Sequence, residues 1–388
     1  MSYLLSILIA VVVTAVAAPL TGALLRLMDT PEAYFEYAYW YLLIIFCGIP
    51  ATVFYNIVAG LLRAVGDSRT PLYFLIFSAA LNVGLDFLFI LAFRMYYTGA
   101  AVATVLSQLV SGALCLAVAL KRYPLLRLRR ADFKWDARLA GVHLAQGLPM
   151  ALQFSITAIG CMVQQTALNG LDATLPGVVT AYTAASKIDG IATQTFAALG
   201  TAMATYAGQN YGAGEYGRIK KGVFVGMVYT AAGVLIAALF NVVLCRPLMQ
   251  LFLNTDLSAG IAAHYEEVLG YGAQYLLWQW SFYLFLGAIY VYRNTLQGIG
   301  KSAVTTFAGV TELAGRIVAS LVFVRLWGFS GICTSNAAAW VAAVAFLVAT
   351  YLVCMRRLGK QQALPPRRTR AHLRRLRRSC SLAVRRAS

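Results

Sequence analysis

LLRAVGDS at residues 61–68 returns as TLQGIGKS at residues 295–302, an offset of 234. Each copy closes one apolar run and leads into the next. After each come an apolar run, a short loop holding a glycine (Gly99 or Gly331), and a last apolar run. Upstream, PLTGALLRL (19–27) resembles PLMQLFL (247–253). What flanks the two copies decides the fold class.

The flanks are far too apolar for a water-facing domain. Of 388 residues, 60% are hydrophobic and 12% charged, with mean hydropathy +0.71. Soluble domains sit near roughly a quarter charged. A membrane span needs about 20 mainly apolar residues. Ten stretches qualify: 3–27, 37–62, 71–93, 98–120, 138–168, 176–207, 222–252, 268–292, 303–324 and 331–355. Their apolarity is continuous rather than alternating, which excludes a β-barrel. The expected class is an all-α polytopic membrane protein with ten transmembrane helices.

Loop bases give the orientation. They gather in the even-numbered loops: Arg63 and Arg69; Lys121 to Arg138; Arg218, Lys220 and Lys221; Arg293 and Lys301. Odd loops hold Asp29, Glu32, Asp172, Asp256, Glu266 and Glu267 with few bases. Even loops and both termini are therefore expected in the cytoplasm. The first residues lack a basic leader and run straight into a span, so no signal peptide is expected.

The repeat sets the domains. Spans one to four match seven to ten, leaving five and six without a counterpart. The unit is then six helices, and the chain starts at the third. The expected lobes are 1–120, with four helices, and 138–355, with six, joined by a basic loop at 121–137. An even-numbered unit keeps its membrane orientation, so the lobes are related by a pseudo-two-fold axis along the membrane normal, as in transporters.

The net charge of +18 is concentrated at one end. Residues 356–388 hold twelve bases and no acid, so the remaining chain carries 20 bases against 14 acids. The tail lacks aromatic residues for stacking on bases, and no nucleic-acid partner is expected. It reads as a solvated segment drawn to anionic lipid, or as an extension without function. Seven scattered cysteines show no CxxC spacing, and His143, His264 and His372 lie far apart. Neither a disulfide framework nor a metal site is expected, nor is an enzyme, because no nucleophile–base or paired-carboxylate motif appears.

A charge near the bilayer centre costs about 2.5–3.5 kcal/mol on insertion scales, so it faces a cavity or a partner. Asn82 and Asp86 lie four apart on one helix face, and Thr104 is in the next span. Their oxygens are hard donors, suited to Na+ or to a proton-exchanging carboxyl; a structural cap is the plainer reading. Lys187 and Asp189, two apart, do not share a face. Glu312 and Arg316, at i and i+4, form a self-compensated pair, with a coupling role for Glu312 as the alternative. Gln164, Gln165, Gln279, Trp278 and Trp280 are cavity candidates, because aromatic faces attract organic cations.

LLRAVGDSRTPLYF (61–74), NVGLDFLFI (82–90), TGAAVATVLSQ (98–108), ASKIDGIA (185–192), YAGQNYGAGEYGRIKKG (206–222) and TELAGR (311–316) together resemble the MATE (multidrug and toxic compound extrusion) transporters, in particular the bacterial DinF-like branch. The likeness runs from residue 1 to about 357. It implies two six-helix lobes, of which this chain lacks the first two helices. It also implies export of cationic or amphipathic compounds against inward Na+ or H+, with Asn82, Asp86 and Thr104 matching the cation site of the first lobe. The implied setting is the bacterial inner membrane, with lipid and small-molecule partners, a monomer, and no cofactor beyond the coupling ion. A lipid-linked precursor flippase of related architecture and a truncated, non-transporting product are the alternatives.

Overall fold

The computed structural model describes residues 2–27, 30–127, 134–172, 174–253 and 264–363. Asp29, Arg129, Arg130, Asp256 and the arginine-rich tail beyond residue 363 lie outside the described residues. Every described element is a helix or a connection between helices. Two compact units divide the chain, Met1–Leu144 and Ala145–Ser388.

The first unit holds α1 (Ser2–Ala17), α2 (Thr21–Leu27), α3 (Glu32–Cys47), α4 (Ile49–Ala64), α5 (Arg69–Asp86), α6 (Tyr96–Arg122) and the start of α7 (Ala137–Leu171). Two expected spans are bent. α1 and α2 meet at 59° and α3 and α4 at 41°. Pro19 and Pro50 sit at these breaks, and proline removes a helical N–H. α6 packs on α3, α4 and α5. Its buried residues are small: Gly99, Ala101, Ala103, Ser107, Ser111, Gly112, Cys115 and Ala119. Small residues let helix backbones approach closely where no hydrophobic force drives them together in lipid.

The second unit holds the rest of α7, α8 (Val178–Gly212), α9 (Tyr216–Ala238), α10 (Cys245–Leu253), α11 (Tyr265–Gly298), α12 (Ser302–Val318), α13 (Val324–Trp327) and α14 (Phe329–Ala363). Here α11 is the hub, packed on α8, α9 and α14. Gly315 lets α12 approach α14: a Cβ there would lie 2.8 Å from the Cα of Ala339.

The repeat read from the sequence reappears in local geometry. The α4–α5 turn has Gly66 at φ +93° and the α11–α12 turn has Gly300 at φ +79°. In the first turn Asp67 accepts from the N–H groups of Arg69 (3.1 Å) and Thr70 (3.0 Å), and from the hydroxyls of Thr70 (2.7 Å) and Tyr123 (2.9 Å). The corresponding residue of the second turn is Lys301, which cannot accept. Gln146 of α7 supplies the acceptor instead, 2.7 Å from the Ser302 hydroxyl, and donates to the Gly300 carbonyl at 3.0 Å. α5 and α12 also match in widening to a π turn, at Phe87–Ala92 and Ala319–Phe323.

All ten predicted stretches fall on helix. Among the described residues, six helices are long and apolar enough to cross a membrane, or eight if each bent pair is one span. The remaining two stretches are α8 and α11. Both are long enough, but their polar residues keep them below the apolarity of the others, and these two helices line the polar cavity described below.

Candidate cation and substrate sites

Each unit carries its own polar cluster. In the first, Asn82 and Thr104 join α5 to α6 through an Nδ2–Oγ1 contact of 3.5 Å. The Thr104 hydroxyl donates to the Ala100 carbonyl at 2.9 Å, so its lone pairs face outward from its own helix. Asp86 is half-buried at the end of α5, where the helix widens into the π turn. Its Oδ1 is buried and has no hydrogen-bond partner among the described residues. π turns occur often at functional sites, and an unpaired buried carboxylate oxygen is costly. The cluster therefore offers an amide, a hydroxyl and an uncompensated acid, a donor set that fits a hard cation or a proton.

In the second unit α7, α8, α11, α12 and α14 surround a cavity of about 500 Å³. Gln164, Asp189, Glu312 and Arg316 line it, as do Tyr182, Tyr275, Arg293, Asn294, Gln297, Asn336 and Trp340. Asp189 accepts a 2.5 Å hydrogen bond from the Tyr283 hydroxyl, which in turn accepts from Asn241 Nδ2 at 2.8 Å. Asn241 lies in the π turn Leu239–Val243 that ends α9.

Glu312 is shared between two arginines. Arg293 bonds to its Oε1 across α11 and α12, and Arg316 Nη1 stands 3.7 Å from its Oε2. Arg316 Nε donates to Asn336 Oδ1 at 3.3 Å, and Asn336 Nδ2 contacts the oxygens of Tyr275 (3.4 Å) and Gln279 (3.3 Å). Gly160 of α7 makes room for this guanidinium: a Cβ there would sit 3.0 Å from Arg316 Cδ. The pair read from TELAGR is thus a triad. The sequence placed Arg293 in a cytoplasmic loop, and that placement is corrected here. Nothing in YRNTLQG breaks a helix, so α11 continues to Gly298, just short of Gly300 at φ +79°, and buries Arg293 on the way.

The other expected cavity residues point elsewhere. Lys187 is exposed and its Nζ lies 5.7 Å from the Phe252 ring. Gln165 bonds to Asn169 on its own helix at 2.8 Å. Trp278 stacks on Phe282, and Trp280 Nε1 donates to the Val234 carbonyl at 3.0 Å. Gln279 is buried behind Asn336 and does not line the cavity. Asn294 and Gln297 were missed, and Arg293 was read chiefly as a loop base. They share the face of Tyr290 and Leu286 at helical spacing, and that periodicity was the available signal.

Comparison with known proteins places this arrangement. A family model described as MatE matches residues 1–88 and 149–321. The chain belongs to the MatE family. Among its curated relatives, the "Probable multidrug resistance protein YpnP" of Bacillus subtilis (strain 168) is 32% identical over 285 residues, which cover 72% of this chain and 60% of the relative. The "Probable multidrug resistance protein YoeA" of the same organism is 28% identical over 319 residues, covering 79% of this chain and 65% of the relative. This MATE chain thus spans less than two thirds of the length of both. Among solved structures, a MATE in the bent conformation superposes with a TM-score of 0.79 at 22% identity, over 93% of this chain and 78% of that one. At that identity the likeness shows the fold: a multi-pass helical membrane protein of MATE architecture.

Proposed function

We propose that the protein is a secondary active antiporter. It exports cationic or amphipathic compounds across the bacterial inner membrane, with both termini cytoplasmic, in exchange for Na+ or H+. The observation that carries this reading is Asp86, whose buried Oδ1 lacks a hydrogen-bond partner among the described residues, one turn from Asn82 and its contact with Thr104. A carboxylate held in an apolar slab is stable only with a cation or a proton. Alternating exposure of such a site to the two membrane faces lets the ion gradient drive the protein from one state to the other. Na+ would be held by the carboxylate of Asp86, the amide oxygen of Asn82 and the hydroxyl of Thr104. The relatives named as multidrug resistance proteins support the substrate class. Monomeric action fits a path built within one chain.

The test is efflux of a fluorescent cationic dye from a pump-deficient bacterial host expressing the chain. Extrusion should depend on the ion gradient and disappear in Asp86→Asn. No extrusion by a folded, membrane-inserted chain would support the non-transporting alternative. Export of lipid-linked precursors is the second reading, and the observation in its favour is that Arg293 and Arg316 line one cavity.

A further inference from the structure

The second unit's cavity is unbalanced around Glu312. Two guanidiniums meet one carboxylate, so neither is fully paired there. Asp189 lines the same cavity, but it is bound by Tyr283 and makes no ion pair with either arginine among the described residues. The side chains of Arg293 and Arg316 are 11% and 5% exposed. Arg293 Nε and Arg316 Nη1 are buried with no hydrogen-bond partner among the described residues. A buried guanidinium N–H left without an acceptor is costly, and the more so where its carboxylate is shared. Guanidinium is also the side-chain group best shaped to grip an oxyanion, through paired N–H donors.

We infer that this cavity binds an oxyanion, the phosphate or carboxylate of an amphipathic ligand, between Arg293 and Arg316. Glu312 occupies the arginines when the ligand is absent and cedes part of its hold when it arrives. The remaining wall suits the rest of such a molecule: Tyr182, Tyr275, Tyr290 and Trp340 present aromatic surface, and Asn294 and Gln297 present amides. The inference rests on the antiport reading only in calling the ligand a substrate.

Three probes sharing one ring separate the charge requirement: 4-nitrophenyl phosphate, 4-nitrobenzoate and 4-nitrophenyltrimethylammonium. Binding to the purified full chain in detergent is followed by quenching of tryptophan fluorescence, since Trp340 lines the cavity. At least one anion should bind about tenfold or more tighter than the cation, and Arg316→Gln should weaken that anion by about tenfold, the loss of one charge-assisted hydrogen bond. Arg316→Lys should recover part of the affinity. Glu312→Gln, which removes the competing carboxylate, should tighten anion binding and gain thermal stability from the bound anion. Tighter binding of the cation, or anion affinity unmoved by Arg316→Gln and Arg293→Gln, would overturn the site. If Arg316→Gln does not fold, Arg293→Gln decides, since it leaves the Glu312–Arg316 pair in place: anion affinity that it leaves unmoved overturns the site. Binding needs no transport, so an antiport failure with anion binding intact leaves this site standing, and the reverse outcome leaves antiport standing.

Discussion

Arg293 of α11 bonds to Glu312 of α12, with Arg316 on the other side of the same carboxylate. The order of damage from single substitutions follows. Glu312→Gln leaves two buried arginines uncompensated, and breaking a buried pair in this way costs about 3–5 kcal/mol. Arg293→Gln leaves the Glu312–Arg316 pair intact and should cost clearly less. Thermal unfolding reported by a thiol-reactive dye at the buried Cys245 and Cys333 compares the two, and equal losses would mean Arg316 does not share the carboxylate.

The approach of α12 to α14 depends on Gly315. Its added Cβ would meet the Ala339 backbone at 2.8 and 2.9 Å, and backbone cannot swing aside. Gly315→Ala should therefore destabilise by about 1–3 kcal/mol, the usual range for overpacking. Gly170→Ala in α7, where an added Cβ would meet no atom of another described residue beyond its own turn within 4 Å, should be neutral or slightly stabilising, since alanine favours helix. The same unfolding assay reads both.

Asp67 is a titratable group outside the spans whose state the structure determines. Burial pushes its carboxyl up, but the bonds from Thr70 and Tyr123, with Arg122 at 3.7 Å, more than offset this and hold it at about 2. Because the folded value is depressed from 3.8, its stabilisation is complete above that value and is lost as pH falls through about 2. Asp67→Asn should be less stable than wild type at neutral pH, and the gap should narrow steadily below pH ~4. A gap constant down to pH ~2 would show that the carboxylate charge contributes nothing there.

The helical class and the repeat were legible because they depend on patterns the chain states locally: apolar runs, and Gly66 and Gly300 at matching turns. The acids were legible too, since Asp86, Asp189 and Glu312 are conspicuous against apolar neighbours. Direction was not. Whether Lys187 or Asp189 faces inward depends on which side of α8 meets α11, and small and polar residues scattered all round the helix do not say. Arg293 was hidden because loss of apolarity at residue 292 imitates a helix end, although α11 continues for another turn and more. The π turns were invisible in the sequence, yet each lies beside a polar group: Asp86 before one, Asn241 within another, Ser320 within the third.

Asp86 is the group on which the antiport account turns. The decisive measurement is dye flux into proteoliposomes holding the purified chain, driven by an imposed Na+ or H+ gradient. Wild type should accumulate dye only while one of those gradients is present, and Asp86→Asn should lower the gradient-driven rate at least about tenfold while folding normally, the loss expected when a single acid carries the coupling charge. Flux that is independent of both gradients, or equal in Asp86→Asn, would contradict the account.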